Sequence, residues 1–218
     1  LKFDTNGKLL FSFGKGMFAF PHGIHVDAQE NIWVTDAVLG DGRGKGSTVG
    51  QTVQKFDKNG KLLMTLGTRG ESGAWDEAAG SHRFSEPNDL VVAGNGDIFI
   101  VQGHMPGERG DARVLKFASD GTFIKDWGGK GSEPGRFQVA HGIAIDADGL
   151  LWVMDRENSR LEVFDQDGGF VREMAYAGLP CGVAIGEENV FMVNGFTGQI
   201  LKLDLDGNVL AAMGLPRD

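Results

Sequence analysis

The sequence is short of groups that several common architectures need. It has a single cysteine, Cys181, so no intrachain disulfide is available and the redox compartment is left undetermined. Proline is scarce at 6 residues. No apolar run approaches the roughly 20 residues that a membrane helix requires. The start is not the charged-then-apolar stretch of a signal peptide, although the chain opens inside a repeat. Positive charge is in deficit, with 21 Lys and Arg against 30 Asp and Glu and a net charge of −9. Phosphate binding rests on cationic side chains, so this balance argues against a nucleic-acid partner. Sustained helical periodicity is missing as well.

Glycine, by contrast, is abundant: 35 of 218 residues, more than twice the usual share of about 7%. Without a matching excess of proline, and spread evenly, it points to many tight turns between short strands. Four segments align, beginning at Pro21-His22-Gly23-Ile24, Pro87-Asn88-Asp89-Leu90, Ala140-His141-Gly142-Ile143 and Pro180-Cys181-Gly182-Val183. Each leads through a turn to a β-rich run such as Ile32-Trp33-Val34 or Leu151-Trp152-Val153. A third run follows, such as Val53-Gln54-Lys55-Phe56 or Leu161-Glu162-Val163-Phe164, and then a glycine turn and a last strand.

Four-stranded units repeated at roughly 40 residues are the pattern of propeller blades. The expected fold is therefore all-β, a propeller of about four and a half blades. Its expected divisions are a partial blade over 1–20 and blades over 21–86, 87–139, 140–179 and 180–214. Extra length falls in polar, glycine-rich stretches at Gly40–Gly50, Thr68–Ser81 and Gly103–Asp111, expected to be loops on the propeller faces. Residues 1–4 and 8–14 match only the third and fourth strands of a unit, so the reading expects a portion of a larger, six-bladed ring. An open arc dimerising through its exposed blade edges is the structural alternative.

Strings such as FAFPHGIHVDAQENIWVTD and GRFQVAHGIAIDADGLLWVMDRENSRLEVFD resemble the NHL repeat. More narrowly, they resemble the peptidyl-α-hydroxyglycine α-amidating lyase group, in register over nearly the whole chain. That resemblance implies a six-bladed propeller with Zn²⁺ held on its axis by three histidines and a Ca²⁺ nearby. It also implies export, to a secreted or periplasmic location, and cleavage of a C-terminal α-hydroxyglycine into a peptide amide and glyoxylate. His22 and His141 match two zinc positions, and the third is expected beyond Asp218. Arg156 matches an active-site arginine, and a second arginine is expected before Leu1. His104 aligns with the group's active-site tyrosine, which is a departure. The Ile24 carbonyl matches one calcium contact, and the carboxylate contact is again expected beyond Asp218.

Three neutral imidazoles leave a tetrahedral zinc one open position for an oxygen ligand. In this reading Arg156 grips a substrate carboxylate with two donors, and His104 serves as a base or as a further ligand. Asp146-Ala147-Asp148-Gly149 and Asp204-Leu205-Asp206-Gly207 look like calcium loops but lack the distal bidentate Glu, so they read as hairpin turns. His25 and His82 read as structural or solvated, and Cys181 as packing. Two other functions stay open. One is a non-catalytic NHL module binding a protein or small ligand on one face. The other is a calcium-dependent hydrolase or lactonase-like propeller, for which Asn88, Asp89 and Asn194 are the axial candidates.

Overall fold

The computed structural model describes residues 1–38, 44, 46–104 and 111–214. Parts of the Gly40–Gly50 and Gly103–Asp111 insertions lie outside these described residues. Four antiparallel four-stranded sheets account for most of the chain. The first contains β3 (Pro21–Val26), β4 (Ile32–Asp36), β5 (Thr52–Phe56) and β6 (Leu62–Leu66). The second contains β9 (Pro87–Val92), β10 (Ile98–Gln102), β11 (Arg113–Phe117) and β12 (Phe123–Gly128). The third is built from β13 (Ala140–Ile145), β14 (Leu151–Asp155), β15 (Arg160–Phe164) and β16 (Phe170–Ala175). The fourth has β17 (Pro180–Ile185), β18 (Val190–Asn194), β19 (Gln199–Leu203) and β20 (Val209–Met213). Ahead of them, β1 (Lys2–Phe3) pairs with β2 (Leu9–Phe11). Among the described residues the helical content is one 3-10 turn at Arg156–Asn158, and no helix is long and apolar enough to cross a membrane.

Each sheet is a meander in chain order, and the first strands β3, β9, β13 and β17 pack against one another in that sequence. This is the arrangement of propeller blades around an axis, all-β as the sequence implies. Apolar layers fill the spaces between blades. Trp33, Val53, Phe84 and Ile100 lie between the first and second, Phe99, Val114, Phe137 and Val153 between the second and third, and Trp152, Leu161, Met192 and Leu203 between the third and fourth. Strands of the middle blades are buried on both faces, which is why β10 and β14 read as unbroken apolar runs. In the last blade β18 alternates instead and leaves Phe191 44% exposed, and in the first blade Ile24 is 71% exposed.

The acidic turns close their own hairpins. Asp146 Oδ1 accepts from the Asp148 and Leu150 N–H groups, as Asp27 does from Gln29 and Asn31, and Asp204 accepts from Asn208. The second carboxylate oxygens of Asp27 and Asp146 also take the buried Trp33 and Trp152 indole N–H groups at 2.9 and 2.8 Å. The Thr68–Ser81 stretch is more ordered than a loop. It contains β7 (Trp75–Asp76), which pairs with β8 (Ser81–His82), and Trp75 is buried against Phe84 and Phe117. His82 stacks on Trp75 and bonds Glu77.

A second repeated device ties the blade entries. The last residue of each second strand, Asp36, Gln102, Asp155 or Asn194, accepts from main-chain N–H groups just before the inner strand of its own blade. In the third blade this continues into a buried ionic cluster. Arg160 bonds Asp155 and Glu173, lies 3.4 Å from Glu162, and donates to the Ser132, Glu133 and Arg136 carbonyls. Glu162 is fully buried, accepts from the Gly135 N–H with Oε1, and is pushed up to about 7 by that burial. A carboxyl raised from its ordinary value binds its proton more tightly in the folded state, so stability is lost as pH rises from about 4.5 through 7. Glu162→Gln is expected to remove that slope and to add about 1–2 kcal/mol at pH 8. Urea titrations of both chains at pH 5 and 8 check it, and equal slopes would count against the burial argument.

Candidate metal centre

The inner strands share a local irregularity that sets up the axis. Each ladder skips near its start: pairing jumps over two residues from Pro21 to Ile24, and over one from Pro87 to Asp89, from Ala140 to Gly142 and from Pro180 to Gly182. A residue left out of the ladder by a bulge is turned away from the blade's own face. His22, Asn88, His141 and Cys181 are the skipped residues at the equivalent place, with Gly23 skipped as well in the first blade. Glycine at 23 suits the crowding that follows, because a Cβ there would lie 2.7 Å from the Asn88 carbonyl oxygen and from Asp89 Oδ1. The blades approach too closely for a side chain.

Both axial histidines are oriented by the next blade. His22 Nδ1 lies 2.8 Å from the Asn88 carbonyl oxygen, and His141 Nδ1 lies 2.8 Å from that of Cys181. A carbonyl accepts, so Nδ1 carries the proton in each ring and the lone pair is on Nε2. Thr35 reinforces the first contact: its hydroxyl donates to the same Asn88 carbonyl and accepts from the Gly23 N–H. Holding the ring nitrogen that faces away from a metal is what fixes a ligating imidazole's tautomer and direction.

A third imidazole, that of His104, stands beside them at the axis. Gly103 adopts a left-handed conformation directly after β10, with φ 90°, and donates to the Ser85 and Glu86 carbonyls. The next residue, His104, is thereby packed beside the other two and is only 7% exposed. Ring centroids stand 5.0 Å apart for His22–His104 and 5.1 Å for both His22–His141 and His104–His141. One ring nitrogen from each lies within 4.8 Å of the other two. Imidazole nitrogens on one zinc, at about 2.0–2.1 Å each, stand roughly 3.3 Å apart. Small ring rotations close that difference.

The electrostatics suit a cation ligand set. Burial, followed by the nearby Arg156, pushes His141 down to about 3, so its ring is neutral at neutral pH. Arg156 opens the 3-10 turn; it pairs with Glu157 at 2.8 Å, donates to the His104 carbonyl at 3.2 Å, and holds Nη1 3.5 Å from His104 Nε2. Three imidazoles and a guanidinium are thus gathered in one place. Apolar side chains of Phe13, Phe18, Ile24 and Val34 flank His22 in a cavity of about 360 Å³.

The remaining candidates divide. Asp89 Oδ1 lies against Gly23, and its carboxylate accepts from the Leu90 and Ile143 N–H groups. Burial pushes it up to about 6. Asn88 is fully buried between the two axial histidines. Asn194 sits away from this group: its Oδ1 accepts from Leu179 and its Nδ2 donates to the Ala177 carbonyl, as the entry tie of its blade. Ile24 pairs with Val34 in the ladder. His25 Nε2 faces the Val92 N–H at 3.4 Å, bridging two blades.

Residues 137–164 match the NHL repeat family model. The chain is 34% identical over 153 residues to NHL repeat-containing protein 3 of Homo sapiens, covering 68% of this chain and 40% of that protein. It is 29% identical over 177 residues to peptidyl-alpha-hydroxyglycine alpha-amidating lyase 1 of Drosophila melanogaster, covering 76% of this chain and 29% of that one. The chain thus spans two-fifths or less of the length of these relatives. Among solved structures it resembles XC5397, a gluconolactonase from Xanthomonas campestris, with a TM-score of 0.62 at 17% identity over 87% of this chain and 60% of that one. That likeness speaks for the propeller fold alone.

Proposed function

We propose that this NHL-repeat propeller is a metal-dependent lyase of the amidating kind, with His22, His104 and His141 as ligands of one zinc ion. The observation that carries the reading is the near-equilateral grouping of three imidazoles from two inner strands and one turn. A zinc ion bound there supplies Lewis-acid polarisation of a substrate oxygen. The chain's own residues do the rest of the recognition. Arg156, braced through Nε and Nη2 by Glu157 and the His104 carbonyl, offers Nη1 to a carboxylate. An α-hydroxyglycine end presents a hydroxyl and a carboxylate on adjacent carbons, which matches a ligand site beside a guanidinium. Cleavage of such an end breaks its C–N bond, converts the hydroxyl carbon to an aldehyde with loss of the hydroxyl proton, and returns a proton to the amide nitrogen. No oxidant is consumed. The test is release of glyoxylate from an N-acyl-α-hydroxyglycine by the zinc-loaded chain. Release above the zinc-only blank that His22→Ala abolishes supports the reading, and release equal to the blank sinks it.

A calcium-dependent hydrolase reading is favoured by one observation, the buried Asp89 carboxylate beside Gly23. In that case Asp89 and its neighbour Asn88 are the contacts, and calcium in place of zinc restores activity after chelation. A non-catalytic module would bind its partner through a propeller face and leave the imidazole site without consequence for that binding.

A further inference from the structure

Asn88 holds in β9 the place that His22 and His141 hold in β3 and β13, and the ladder skips it in the same way. Its carbonyl takes the His22 Nδ1–H and the Thr35 hydroxyl. Its side-chain Nδ2 donates at 2.8 Å to the carbonyl of Ala140, the residue before His141. That bond fixes which way the amide faces, because the opposite orientation would set two acceptors against each other. The other end of the amide, Oδ1, is buried and meets no donor among the described residues. Native proteins rarely leave such an acceptor unsatisfied, and one that persists calls for a partner.

The covalent geometry says what that partner is. Asparagine Nδ2 corresponds to histidine Nδ1, and asparagine Oδ1 to histidine Cδ2. Asn88 therefore uses its nitrogen on the neighbouring blade, though on the carbonyl one residue before the position that the two histidines use, and its oxygen sits on the branch that in a histidine leads to Nε2. That branch is one bond shorter than a histidine's, and the residue lies on the inner strand between those of the two axial histidines. We infer that Asn88 Oδ1 accepts a hydrogen bond from the O–H of the oxygen ligand that the three-imidazole site takes up, so that Asn88 is a positioning residue selecting a hydroxyl over an oxygen that carries no proton. The inference rests on the metal reading above.

The test uses the whole chain loaded with cobalt(II), whose visible spectrum reports ligand binding, and two uncharged probes differing by one proton, glycolamide and methoxyacetamide. Wild type is expected to bind glycolamide about tenfold more tightly than the ether, the worth of one buried hydrogen bond. Asn88→Leu, close in shape but without an acceptor, is expected to lose that preference. Asn88→Asp keeps an acceptor and loses the Nδ2 donor, and is expected to retain it. A preference unchanged in Asn88→Leu overturns the assignment. So does its equal loss in Asn88→Asp, which would trace the effect to the Ala140 bond. If the wild-type chain takes up no cobalt, the metal reading itself falls; cobalt uptake with an unchanged preference overturns the Asn88 role alone.

Discussion

His104→Ala is expected to weaken zinc binding on the order of a thousandfold. Zinc sites that keep one position open rely on three protein ligands, and removing even a partner of a ligand typically costs 10–100-fold. Two remaining imidazoles leave two coordination positions to water, so the loss exceeds the second-layer figure. The variant should fold normally, because His104 closes no ladder and its main-chain carbonyl still receives Arg156. His104→Tyr restores the side chain implied by the lyase resemblance and is expected to leave zinc binding as weak as the alanine variant does. Competition against a chromogenic chelator measures both. Binding of wild-type strength in His104→Ala would mean that the chain does not use this residue as a ligand.

The second large effect is one of stability. Arg160→Met is expected to cost about 3–5 kcal/mol, because it strands buried Asp155 and Glu162 without their cation. It also frees the three carbonyls of the 132–136 segment that Arg160 ties down. In a chain of this size the loss corresponds to a drop of about 10 °C in melting temperature. Glu173→Gln removes the more exposed partner and should cost under about 1 kcal/mol. Thermal melts of the two variants side by side decide it, and equal small shifts would show that the cluster does not anchor the third blade.

Much of this was legible because the repeat does the aligning. Ile32, Ile98, Leu151 and Val190 open four β-rich runs, and each opens the second strand of a sheet. His22 and His141 stood out as the same letter at the same place in two units, and both reach the axis. His104 could not be placed in that way. It follows a strand rather than opening one, and its approach depends on the left-handed turn at Gly103, which no alternation pattern encodes. Its alignment with the lyase group's active-site tyrosine is the signal that marks it. Asn194 looked axial by type, yet its amide is spent on Ala177 and Leu179, because residues ending the second strand serve as entry ties. The Arg160 cluster has no counterpart in local pattern: a charged residue in a short strand normally faces water, and only the packing of 131–136 across β15 buries it. The hairpin of β7 and β8 was hidden for a related reason, since Trp75 is held by tertiary contacts with Phe84 and Phe117 rather than by local pattern.

The most direct measurement is zinc-edge X-ray absorption on the chain loaded with one equivalent of zinc. Three imidazole nitrogens at about 2.0–2.1 Å with one further light ligand is the predicted shell, and each histidine variant should lower the imidazole count. A shell dominated by carboxylate oxygens, by the Cys181 sulfur, or by water alone would contradict the three-histidine centre on which the functional reading stands.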